Sequence, residues 1–134
     1  MKRKIIYSII AVLIVTAVAS GSIYALARDK KDVFTEKECK EIAEEFIRNS
    51  PTFSFDGYGL QHSETLYPEI ADKPYLWTFV FEFKSTHGGY GDRSGQIIEE
   101  EITPHEAHIS VDSGKVTSAV LDLKWDMLSQ KTIN

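Results

Sequence analysis

Eleven residues in the middle of the chain, Thr86 to Gln96 (THGGYGDRSGQ), bring four glycines together with a histidine, a tyrosine, an aspartate and an arginine. Glycine-rich loops cradle phosphates when a strand leads through them into a helix, whose free amides and dipole meet the anion. Here the next residues, Ile97-Ile98-Glu99-Glu100-Glu101, read as a strand with acidic side chains, and no lysine follows the glycines. A Walker-type phosphate loop is therefore excluded. Two readings stand. One is a long hairpin connection in which Gly88, Gly89, Gly91 and Gly95 supply positive backbone angles. The other is a binding loop that uses His87, Tyr90, Asp92 and Arg93, since loops on a rigid sheet often carry function. Asp92 with Arg93 also reads as a local turn cap beside an exposed charge.

His105 and His108 follow Pro104 with Glu106 between them. Neutral imidazoles with a carboxylate suit zinc or another divalent ion. On a regular strand, residues three apart point to opposite faces, so only an irregularity at Pro104 brings both rings to one ion. Solvated strand positions are the simpler reading, and no other cofactor is expected. Glu99 and Glu101 fall on one face about 6.7 Å apart along a strand, where acidic side chains discourage edge pairing. Cys39 sits on an apolar helical stripe, as a small core residue does. There is no Gly-x-Ser-x-Gly elbow, and Ser94 has no base near it in sequence, so no nucleophilic site and no enzyme are expected.

The elements that position these residues are legible in the spacing. Thr35-Glu36-Lys37-Glu38 reads as a capping box, with Phe34 and Cys39 as a hydrophobic staple. Cys39, Ile42, Ala43, Phe46 and Ile47 form one helical stripe. Glu36 with Lys40 and Glu44 with Arg48 are favourable pairs four apart. Pro51 ends the helix near Asn49. The period then changes to two. Leu60 to Leu66 is a weak strand. Tyr75 to Ser85 is the strongest, with Tyr75, Trp77, Phe79, Phe81 and Phe83 on one face and Thr78, Glu82 and Lys84 on the other. Ile97 to Thr103 and Glu106 to Asp112 read as one long strand interrupted at Pro104. After the Asp112-Ser113-Gly114 turn, Val116 to Trp125 returns with Thr117, Ala119, Leu121, Leu123 and Trp125 on one side. The expected fold is α+β, one helix across a four- to five-stranded antiparallel sheet. The domain spans residues 35–125, with a linker at 28–34 and a C-terminal tail at 126–134 that has little pattern.

Ahead of the domain, Ile5 to Ala27 is a 23-residue run without a charged side chain, behind a basic head Lys2-Arg3-Lys4. Such a run is long enough to cross about 30 Å of hydrocarbon as a helix. It reads as a single-pass signal anchor that places the domain outside the cell membrane. The alternative is a cleaved secretory signal, with small-x-small sites at Ala17-Val18-Ala19 and Ala25-Leu26-Ala27. Residues 1–27 hold three of the 15 basic residues and none of the 20 acidic ones, which leaves 12 basic against 20 acidic side chains, a net −8. That charge excludes a nucleic-acid partner. One cysteine excludes an internal disulfide, so stability must come from the core.

The order of a helix, then Tyr75-Leu76-Trp77-Thr78-Phe79-Val80-Phe81, then Ala107-His108-Ile109-Ser110-Val111-Asp112-Ser113-Gly114-Lys115-Val116, resembles the small PepSY and cystatin-like extracytoplasmic domains. Their hairpin reads apolar-x-Val-Asp-x-x-Gly-x-Val. Here aspartate and glycine are two apart rather than three, and the glycine-rich loop and Pro104 are insertions. Ser50-Pro51-Thr52-Phe53 and Gly89-Tyr90-Gly91-Asp92-Arg93 are similar to segments of archaeal membrane-anchored proteins. The resemblance implies an extracytoplasmic binding or inhibitory module and carries over no catalytic residue. The expected function is accordingly a membrane-anchored, non-catalytic module that binds a protein, peptide or envelope ligand through its exposed sheet face and the Thr86 to Gln96 loop. The alternatives are a metal-binding domain centred on His105 and His108, and a structural subunit of a membrane assembly.

Overall fold

Thr35 opens the first helix as its sequence requires: the Glu38 amide donates to Thr35 Oγ1 at 3.2 Å, and the Thr35 amide donates to Glu38 Oε2 at 2.8 Å. This is the start of residues 34–67, 73 and 75–134, which the computed structural model describes. The expected span at residues 5–27 and the linker up to Val33 lie outside the described residues. No helix among the described residues is long and apolar enough to cross a membrane.

Helix α1 (Glu36–Asn49) ends where proline predicts. Ser50 is extended, at φ −68° and ψ 146°, because the following Pro51 ring disfavours the helical conformation. Pro51 then starts a second, unexpected short helix, α2 (Pro51–Asp56). Of the two four-apart pairs, Glu44 and Arg48 meet at 2.7 Å, whereas Glu36 accepts from the Tyr67 hydroxyl at 3.0 Å.

Among the described residues, six antiparallel strands follow in chain order across one sheet: β1 (Gly57–Leu66), β2 (Leu76–His87), β3 (Glu100–Asp112), β4 (Lys115–Leu121), β5 (Trp125–Asp126) and β6 (Lys131–Thr132). The α+β expectation holds, with six strands rather than four or five. Phe79, Phe81 and Phe83 are buried together with Cys39, Ala43 and Ile47 of α1 and with Ala107, Ile109, Val111, Ala119 and Leu121. Trp77 packs at the margin of this core and Tyr75 precedes the strand. Burial raises the Cys39 thiol above its ordinary pKa, as befits a core thiol.

Three expectations are corrected. Pro104 does not interrupt β3: it sits within the strand, opposite Lys84, and the register slips further on, between the Ser85–Thr103 and His87–Glu100 pairs. Ile97 to Glu99 are outside the strand. On β4 the alternation also slips, because Val111 faces Val116 while Ser110 faces Ser118. The extra residue turns Val116 to the core and leaves Thr117 exposed. Leu123 lies in the turn between β4 and β5 at φ 57° and is exposed. Finally, the C-terminal tail is structured. β5 and β6 extend the sheet, and Met127 is buried, its amide donating to the Ala119 carbonyl at 2.8 Å.

Candidate functional site

The chemistry-bearing residues of the glycine-rich loop are turned inward. Arg93 is only 3% exposed. Its Nε donates to the Gly91 carbonyl at 3.2 Å, and Nη1 reaches the carbonyls of His87, Gly88 and Gly89 at 3.3, 3.0 and 3.0 Å. Nη2 donates to the Thr52 carbonyl at 3.1 Å and to Asp56 Oδ1 at 2.7 Å. The guanidinium carbon stands 4.8 Å from the centroid of the Phe55 ring. A planar fork of five donors thus replaces the strand hydrogen bonds that an irregular loop lacks. Gly89 and Gly91 adopt φ 88° and 75°, which lets the chain curl round the fork. Arg93 is therefore neither an exposed charge nor free to hold a ligand.

His87 is spoken for as well: its amide and Nδ1 lie 2.8 and 3.0 Å from Asp56 Oδ2. Burial pushes the Asp56 carboxyl up, but the His87 hydrogen bonds and the Arg93 charge outweigh it and hold the carboxyl below its ordinary value. Asp92 is exposed and caps the turn, accepting from the Ser94 amide at 2.9 Å and from the Ser94 hydroxyl. Tyr90 stacks on Trp125 with centroids 5.4 Å apart and donates its hydroxyl to Asp122 Oδ2 at 3.1 Å. Burial, then the Asp122 charge, push the Tyr90 phenol up to about 12. Of the four loop residues, only Asp92 is exposed.

His105 and His108 do not come together. They pair with Phe83 and Val80 on β2, three places apart, and so point to opposite faces. His105 is buried at 4% exposure, whereas His108 is half-buried and meets Glu106 Oε1 at 2.6 Å. Among the described residues no group of three or more His, Cys, Asp or Glu is gathered to hold a metal.

His105 instead joins a chain that its sequence neighbours give no sign of. Its Nδ1 lies 2.7 Å from Asp122 Oδ2, and its Nε2 lies 2.9 Å from Ser85 Oγ. Asp122 also accepts from the Glu106 amide at 2.7 Å. Burial raises the Asp122 carboxyl, but the hydrogen bonds from His105 and Glu106 prevail and hold it below its ordinary value. Serine, histidine and aspartate stand in the connectivity of a hydrolase triad. Ser85, however, is fully buried and also lies 2.7 Å from the His87 carbonyl, to which its hydroxyl donates. A nucleophile must reach a substrate carbonyl. This one instead ties the strand to the glycine-rich loop.

Open polar chemistry lies on the sheet face away from α1. A cleft of about 570 Å³ runs from Tyr58 and Gln61 on β1, over Glu82 and Lys84 on β2, to Pro104 and Glu106 on β3, with His105 and Asp122 in its lining. Tyr58 and Gln61 are three apart yet share this face, opposite Lys84 and Glu82, because the β1 register slips between them. Gly59 lies in the slip at φ 69°. Glu82 faces Gln61 on one side and Glu106 on the other. Among the described residues, neither Glu82 nor Lys84 has an ion-pair partner.

No protein-family model matches the chain, and neither a curated protein nor a solved structure matches it.

Proposed function

We propose that the domain is a non-catalytic binding module, held outside the cell membrane by residues 5–27, and that its ligand seats in the cleft on the sheet face away from α1. The observation that carries this reading is a contrast. Arg93, His87, His105, Asp56 and Asp122 are consumed by internal hydrogen bonds, while Glu82 and Lys84 border a cleft with no ion-pair partner among the described residues. Its volume falls within the range of about 300–1,000 Å³ usual for ligand sites. An exposed tyrosine, an amide, a carboxylate and an ammonium on one rigid face supply stacking, donor and acceptor functions together. The helix-then-hairpin order that resembles PepSY and cystatin-like domains supports the same class of function. This reading keeps the exposed sheet face of the expectation and leaves out the glycine-rich loop.

The test is capture of a partner from native membranes by the full chain and by its variants. Tyr58→Ala and Glu82→Lys are expected to lose a partner that Asp92→Ala retains. Equal capture by all three would overturn the cleft as the site. Hydrolysis of an ester, peptide or glycoside panel above background, abolished by one substitution, would overturn the non-catalytic reading.

A further inference from the structure

The ladder between β3 and β4 runs from Ala107 opposite Leu121 to Asp112 opposite Lys115. Asp122 extends it by one place: its amide donates to the Glu106 carbonyl at 2.8 Å, and its Oδ1 accepts from the Glu106 amide at 2.7 Å. Before that point β3 has β2 on one side and, among the described residues, no strand on the other. Among the described residues, the stretch from Glu100 to His105 therefore presents an open strand edge, a template for a further strand.

Two surface properties select what fits there. Ile97, Ile102 and Leu123 are 108%, 67% and 73% exposed, bare apolar side chains just before β3, on β3 and in the turn after β4. The segment from Ser94 to Glu106 also holds four glutamates and neither lysine nor arginine. A second copy of this edge would bring acidic side chains against acidic ones, which disfavours pairing. An anionic lipid surface is repelled for the same reason.

We propose that this edge takes an extended basic segment of another polypeptide, added as a strand beside Glu100–Thr103. Its lysines or arginines lie against Glu99, Glu100 and Glu101, and its apolar side chains cover Ile97, Ile102 and Leu123. Main-chain hydrogen bonds supply the grip of such an addition, and the charges choose the partner. The proposal does not depend on the cleft.

The test uses the full chain in detergent micelles and a fluorescent peptide alternating lysine and valine, read by anisotropy. A glutamate–valine peptide and a lysine–valine peptide N-methylated at alternate amides are the controls. The first peptide is expected to bind, and the second is not. N-methylation should weaken binding by at least about tenfold, because it removes strand hydrogen bonds and keeps the charge. The combined change Glu99→Gln, Glu100→Gln and Glu101→Gln should weaken it by a similar factor, while Tyr58→Ala leaves it unchanged. Absence of lysine–valine binding, undiminished binding of the N-methylated peptide, or indifference to the triple change would overturn the proposal. So would loss of binding in Tyr58→Ala, which would put the peptide in the cleft.

Discussion

Arg93 and Asp56 stand 37 positions apart in the chain and 2.7 Å apart in space, with 3% and 8% of their side chains exposed. The pair ties the glycine-rich loop to the end of α2. Removing one member leaves a buried charge without its counterpart, which typically costs about 3–5 kcal/mol. Arg93→Ala is therefore expected to lose a large share of the domain's stability in urea denaturation. Arg93→Lys should recover only part, since an ammonium offers three donors where the fork offers five. A loss below about 1 kcal/mol for Arg93→Ala would show that the loop holds itself together.

The Ser85, His105 and Asp122 chain invites a different measurement. As an internal tie it should contribute stability and no turnover. His105→Gln is expected to cost about 1–3 kcal/mol, because it removes the imidazole contacts to buried Ser85 and partly buried Asp122. Hydrolysis of an activated ester by the wild-type chain should match both the buffer blank and Ser85→Ala. Turnover that vanishes in Ser85→Ala would make the serine a nucleophile after all.

Asp56 and Asp122 both titrate below their ordinary value of 3.8 in the folded state. The unfolded chain then binds more protons than the folded one in that window, so their contribution is complete above it and is lost as pH falls through the lowered values. Stability of the wild type should drop from near pH 3.8 downward. Asp56→Asn and Asp122→Asn, each less stable at neutral pH, should show a shallower acid slope in melts taken along a pH series. Parallel slopes would contradict the assignment.

Cys39 is fully buried and its thiol is raised above its ordinary pKa by burial. Iodoacetamide should therefore modify the folded chain slower than the urea-unfolded chain by a factor on the order of a hundred or more, since reaction waits for opening. Equal rates would mean that the α1 stripe does not face the sheet.

Gly114 and Gly95 share a left-handed backbone, at φ 79° and 75°, but not their surroundings. A Cβ at Gly114 would stand 2.2 Å from Phe34 Cε1, whereas one at Gly95 meets nothing within 4 Å. Gly95→Ala should cost about 1–2 kcal/mol from backbone strain alone. Gly114→Ala must add displacement of the Phe34 ring, so its melting temperature should fall further. Equal shifts would show that the ring moves aside freely.

The sequence was most informative where one physical rule acted alone. Thr35 and Glu38 satisfy each other locally, Pro51 constrains Ser50, and Phe79, Phe81 and Phe83 need one dry face, so cap, helix end and core could all be read from spacing. The candidate site was not legible in the same way. Asp56 precedes a glycine, as a turn residue does, and Asp122 falls within the Val116 to Trp125 run, so nothing in the spacing marks either one, yet each gathers partners from distant elements. The register slips that put Tyr58 beside Gln61 and turn Val116 inward depend on pairing between strands, which the period of a single strand does not encode. The buried state of Arg93 had a faint sign, four nearby glycines whose carbonyls need donors, but glycine spacing alone also fits an open loop.

Phe34, seated against Gly114 and followed by the Thr35–Glu38 box, is the first residue of the described unit. Tension arriving along the chain from residue 33 must act on that wedge before it can reach the ladders between the strands. One ring and one pair of reciprocal hydrogen bonds therefore hold the front end of the helix against a pull from that side.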